Sequence, residues 1–112
     1  MYSNIIMSKI VINNVEYKIH PVYDLYGASA NGKIIHISKQ LLTIGFVKED
    51  GYVKCNIRQQ GQKGKKTYQF HRFVWECFNG SIPDGKVINH VNEIKHDNRL
   101  CNLQLLTQQQ IC

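Results

Sequence analysis

Between Gly51 and Trp75 the chain carries no acidic residue. That window holds Lys54, Arg58, Lys63, Lys65, Lys66 and Arg72, interleaved with Tyr52, Tyr68 and Phe70, within a chain of formal charge +6. Such a stretch suits a polyanion, because each phosphate it neutralises releases condensed counterions. Taken alone, it suits equally well a solvated hairpin whose lysines keep the protein soluble. Other absences narrow the class. No apolar run approaches the roughly 20 residues a membrane-spanning helix needs, so no membrane partner is expected. Residues Met1 to Met7 lack the charged-then-apolar order of a secretory signal, and the expectation is a soluble intracellular protein, cytoplasmic or nuclear. Cys55, Cys77, Cys101 and Cys112 are spaced by 22, 24 and 11 residues with no CxxC pair. That spacing argues against a disulfide framework, a disulfide-linked partner and a zinc knuckle. Neither an internal repeat nor a long linker is visible.

What remains describes a globular α+β chain. Its 112 residues are 43% hydrophobic and 20% charged, enough for a core that hides roughly two-thirds of the unfolded surface. Short β signals come first. Residues 9–12 and 15–19 flank Asn13-Asn14, a tight hairpin turn. Asn31-Gly32 turns into Ile34–Ile37, and Leu41–Val47 forms a further β-prone run. In residues 52–58, Val53, Cys55 and Ile57 alternate with Lys54, Asn56 and Arg58, the pattern of a half-buried strand. A basic loop, residues 59–66, leads into Thr67–Phe70.

The periodicity then changes from two to about 3.6. Phe70, Phe73, Val74, Cys77 and Phe78 fall on one helical face, with Arg72, Glu76 and Asn79 opposite and His71 at the edge of the stripe. Asn79-Gly80 closes the helix and Ser81–Gly85 is a turn. An apolar pair, Val87-Ile88, then delivers Asn89-His90, a polar loop follows, and Asn102 opens a second apolar run at Leu103, Leu105 and Leu106. Singly, Asn89 and Asn102 also suit strand-end and turn roles. His96 lies in the loop and is expected to be exposed, with no catalytic part.

In order, these elements resemble the phage and intron type of HNH homing endonuclease, the ββα-metal nucleases. The resemblance rests on His71-Arg72-Phe73-Val74, on Ile82-Pro83-Asp84-Gly85, on Asn89-His90, on Asp97-Asn98-Arg99 and on Asn102-Leu103. The spacings agree as well, 19 residues from His71 to His90 and 12 from His90 to Asn102. Tyr26, Ser29, Gly32 and Ile34 resemble the small module that often precedes this nuclease core. The resemblance implies a β-rich module at residues 1–50 and an HNH-like ββα domain at residues 51–112, its final helix short or incomplete. It also implies a metal-dependent endonuclease acting on double-stranded DNA, by nicking or double-strand cleavage, encoded by a phage, a virus or a mobile intron.

Residue by residue, the resemblance makes His90 the general base, Asn89 a metal ligand, and Asn102 the catalytic-site tether that spans the loop and holds the histidine. An imidazole of ordinary pKa near 6.5 accepts a proton from water near neutral pH. A divalent cation, Mg²⁺ or in its place Mn²⁺, polarises the phosphate; an asparagine carbonyl binds Mg²⁺ more weakly than a carboxylate does. Lys54, Arg58, Lys63, Lys65, Lys66, His71, Arg72 and Arg99 form the expected nucleic-acid-binding set. Two departures stand out. Glu93 occupies a loop position where the family often has glycine. The last metal ligand of the family would fall nine residues beyond Asn102, at Ile111, whose side chain has no donor atom. The alternative is therefore a catalytically weakened or inactive DNA-binding remnant of such a nuclease. A third reading, a basic RNA-associated protein, has no aromatic platform motif behind it.

Overall fold

The computed structural model describes residues 8–59 and 61–107. The order is β1 (Lys9–Ile12), β2 (Val15–Ile19), β3 (Tyr26–Ala28), β4 (Ile34–His36), β5 (Leu41–Leu42), β6 (Phe46–Val47), β7 (Val53–Ile57), β8 (Lys66–Gln69), α1 (Phe70–Asn79), β9 (Lys86–His90), a 3₁₀ turn (Leu100–Asn102) and β10 (Leu103–Thr107). Strands β1 to β5 form one antiparallel meander, β6 to β8 a second sheet, and β9 and β10 a separate hairpin. The fold class is α+β, as the change of period indicates.

The local chemistry accounts for the turns. Asn13 and Asn14 hold φ of 52° and 66°, the left-handed pair that a two-residue hairpin of this twist requires, and asparagine tolerates it better than most residues. The apolar run from Leu41 does not continue as one strand. It passes from the first sheet to the second through Gly45, where an added Cβ would stand 2.5 Å from a Val53 methyl.

Helix α1 packs its apolar stripe against both larger sheets. Phe70, Phe73, Val74 and Cys77 join Cys55 and Ile57 from β7 and Tyr26, Ala28 and Ile34 from β3 and β4 in one core. The core thus unites residues from both sides of position 50. Glu76 does not follow the polar face expected for it: the residue is 6% exposed. Its carboxylate accepts the Nε2–H of His20 at 2.8 Å and the hydroxyl of Tyr68 at 2.6 Å. His20 Nδ1 in turn accepts the backbone N–H groups of Val22 and Tyr23, both at 3.0 Å. A buried carboxylate persists because every neighbouring polar group points a hydrogen at it. Gly80, at φ 85°, ends the helix by donating its N–H to the Glu76 carbonyl. Cys55 and Cys77 are buried free thiols, and burial pushes the Cys55 thiol up to about 12. The final helix expected beyond Thr107, with Ile111 and Cys112, lies outside the described residues.

Candidate active site

The β9–β10 hairpin sets His90 opposite Leu103 and Asn89 opposite Gln104. Between the strands, residues 91–102 form a loop rather than a tight turn, and Asn102 organises it. Its Oδ1 accepts the N–H of Asn92 at 3.0 Å, and its Nδ2 donates to Asn92 Oδ1 and to the Asp97 carbonyl, both at 2.9 Å. The Val91 N–H closes on the Asn102 carbonyl at 2.8 Å. Asn102 is buried, so these bonds are shielded from competition with water. They tie the loop; the imidazole itself is held elsewhere. Glu93 sits at φ 64°, which explains the preference for glycine at this loop position.

His90 is 4% exposed. Its Nε2–H donates to Asn98 Oδ1 at 2.8 Å. Since an amide oxygen only accepts, the neutral ring carries its proton on Nε2 and its lone pair on Nδ1. The ring borders a cavity of about 240 Å³ lined by Tyr52, Asn89, Glu93 and Lys95. Asn89, half-buried beside His90, borders this cavity and a second one of about 220 Å³ that reaches Gln69, His71 and Arg72. Asn98 had no assigned role in the sequence pattern although it lies inside a matched motif. Tyr52, from before β7, carries no sequence signal beyond being an aromatic in the basic window.

Three rings pack at the back of the site. His71 lies 4.6 Å from His90 between centroids, and Tyr52 stacks on His71 at 5.3 Å with an interplanar angle of 20°. His71 is buried, and that burial, with His90 and Arg72 nearby, pulls its pKa down to about 3. It is therefore neutral at ordinary pH, and its Nδ1 is the one buried side-chain polar atom without a partner among the described residues. Lys95 Nζ stands 4.6 Å above the Tyr52 ring while donating to the Asp50 carbonyl, which fixes a cation at the cavity wall.

The basic residues divide into two groups. Lys54 is paired with Asp50 at 2.9 Å, and Arg99 makes a two-point contact with Asp97 at 2.8 Å for each bond. That pair holds the Asp97 carboxyl well below its ordinary range. Arg58, Lys63, Lys65, Lys66 and Arg72 are exposed. Lys66 and Arg72 line one open cavity of about 360 Å³ with Thr67, Tyr68 and Gln69. His71, buried and uncharged, offers no cation to a phosphate. No helix among the described residues is long and apolar enough to cross a membrane.

The donor set suits a weakly held hard cation. Among the described residues no three His, Cys, Asp or Glu side chains converge as a metal cluster. The cavity is lined by Asn89, whose side chain makes no hydrogen bond among the described residues, and by Glu93. Mg²⁺ characteristically keeps several waters and takes few protein oxygens together with substrate phosphate.

Comparison with known proteins fits this geometry. Residues 68–111, which run from β8 past β10, match the HNH endonuclease family model. A gene 5.3 protein of enterobacteria phage T3 is 44% identical over 43 residues, covering 38% of this chain and 43% of that protein. The solved structure of the HNH homing endonuclease I-HmuI, titled for its DNA binding and cleavage, superposes with a TM-score of 0.68 at 27% identity. That match covers 94% of this chain and 55% of I-HmuI, so the chain spans about half the length of the proteins it resembles. A motif match that carries the site hairpin, and a fold shared along nearly the whole chain, make it similar to the HNH homing endonucleases.

Proposed function

We propose that this chain is a metal-dependent endonuclease that hydrolyses phosphodiester bonds in double-stranded DNA. The observation that carries the reading is the state of His90: an imidazole with its Nε2 proton held by Asn98 and its Nδ1 lone pair free, bordering a cavity next to Asn89. In that state the ring takes a proton from a water whose oxygen attacks phosphorus. The bond from phosphorus to the 3′ oxygen breaks, and that oxygen leaves with a proton from solvent. Asn89, with Glu93 across the cavity, would hold a divalent cation, Mg²⁺ or Mn²⁺, which when bound supplies positive charge to the phosphate. Lys95 adds a protein-borne positive charge at the same wall. Arg58, Lys63, Lys65, Lys66 and Arg72 give the exposed face that tracks the DNA backbone, with Lys54 and Arg99 released from their carboxylates as phosphates approach. The I-HmuI likeness supports DNA as the substrate, and the phage T3 relative supports a phage or mobile-element origin, with the work done inside the infected cell.

A second reading is favoured by Ile111, which leaves the family's last metal-ligand position without a donor. In that case the chain binds DNA without turnover. The two separate in a supercoiled-plasmid assay with Mg²⁺ or Mn²⁺, run with and without chelator, on the natural chain and on His90→Ala. The endonuclease reading expects chelator-sensitive nicking that His90→Ala loses by at least about 100-fold. Salt-sensitive DNA binding with no nicking under either ion would leave only the binding reading.

A further inference from the structure

The β3–β4 hairpin reaches out of the first sheet and supports the loop that carries Asn98. Its turn is closed by Gly32 N–H to the Ser29 carbonyl and Ser29 N–H to the Lys33 carbonyl, both at 2.9 Å. Gly32 has φ 84°, and a Cβ there would stand 2.6 Å from both the carbonyl carbon and the oxygen of Asn98 and 2.9 Å from Arg99 N. Two residues earlier, the Ala30 carbonyl accepts the N–H of Leu100 at 2.9 Å. On its other side the same loop is gripped by Asn102 at the Asp97 carbonyl. Asn98, buried between these holds, reaches His90 Nε2 at 2.8 Å.

We propose that the Ala30–Gly32 turn is a positioning element for His90: it seats the backbone of residues 98–100, and Asn98 passes that placement to the imidazole. The inference rests on the reading of His90 as the base and assigns part of the site to a segment outside the family match at residues 68–111. The physical stake is large. A displacement of about 1 Å in a reacting group can cost on the order of 100-fold in rate, and loss of the Nε2–H bond frees the ring to expose the wrong nitrogen.

The test uses the full chain and reads the ¹⁵N shifts of the His90 ring at a pH where it is neutral, together with plasmid nicking. The natural chain is expected to show the Nε2–H form. Asn98→Asp keeps the acceptor and the tautomer, whereas Asn98→Leu gives a mixture. Gly32→Ala forces a Cβ onto the Asn98 carbonyl and is expected to shift the same ring signals, although position 32 does not touch the ring. Leu100→Pro is the gentler second variant. It deletes the N–H given to Ala30 and exchanges a half-buried leucine side chain for the proline ring, at the first position of a 3₁₀ turn after a residue already extended at φ −60°, ψ 140°, where proline is accommodated. Both variants, checked as folded by their thermal transitions, should lower the nicking rate about tenfold or more with DNA affinity little changed. Unchanged His90 ring signals in a folded Gly32→Ala or Leu100→Pro chain would overturn the proposal, as would an unchanged tautomer in Asn98→Leu. Should the natural chain nick no DNA, the nuclease reading fails separately, and the ring signals still decide whether the turn positions His90.

Discussion

His71 shows how differently one residue reads in a line of letters and in a packed site. At the edge of a helical stripe it looks ordinary. In the fold it is 4% exposed, stacked on Tyr52 and tilted against His90, and kept neutral by burial. The consequence is a pH dependence of stability. The unfolded chain protonates this ring below its ordinary value near 6.5, whereas the folded chain resists until about 3. The folded-state pKa is depressed, so the stability it contributes is complete above pH 6.5 and erodes as the pH falls toward 3. Urea titrations of the natural chain should lose up to about 1.4 kcal/mol per pH unit across that window from this group. His71→Phe, which keeps an aromatic ring between its neighbours, should flatten the slope; an unchanged slope would assign the loss to other groups. The motif names His71, His90 and Asn102 but not that all three are enclosed; His71 is covered by Tyr52, nineteen residues earlier and just before β7.

Helix α1 was legible in position and partly misleading in its faces. Period 3.6 finds its span, and Phe70, Phe73, Val74 and Cys77 are buried as the stripe indicates. Glu76 breaks the pattern, since its acceptor role depends on His20 and Tyr68, which periodicity within one helix cannot reveal. The network makes a specific demand on stability. Glu76→Leu removes the acceptor and leaves a buried Nε2–H and a half-buried hydroxyl without partners, a cost of about 3 kcal/mol. Glu76→Gln retains one acceptor oxygen and should lose about half as much. Chemical denaturation with a helix-sensitive signal measures both, and equal losses would show that the bonds are not what holds Glu76 in place. The run from Leu41 illustrates the complementary limit. Its composition identifies β structure, but the transfer between sheets is decided by the close approach of Gly45 to Val53.

For the molecule as a whole, the acid-free window gathers basic residues without separating free cations from engaged ones. Lys54 and Arg99 are held by Asp50 and Asp97, the first just outside the window and the second two residues away from its partner. Arg58, Lys63, Lys65 and Arg72 are exposed. If this face tracks the DNA backbone, the logarithm of affinity should fall linearly with the logarithm of salt concentration, and each alanine substitution that removes a phosphate contact should reduce the slope by about 0.9. The expectation is a reduced slope for Arg58→Ala, Lys65→Ala and Arg72→Ala and a smaller effect for Lys54→Ala and Arg99→Ala, where the freed carboxylate offsets part of the change. Fluorescence anisotropy over a salt series measures it, and slopes unaffected by any of the three would remove this face from the interface.

The contact of Gly32 with Asn98 also has a temporal meaning. Its two sides are made 66 residues apart, and the ring they serve lies near the later one. While the chain is still emerging from the ribosome, the early hairpin has no loop to brace and the histidine has no brace to meet. The site as proposed is assembled only once residues 98–100 have been made and can seat on the turn.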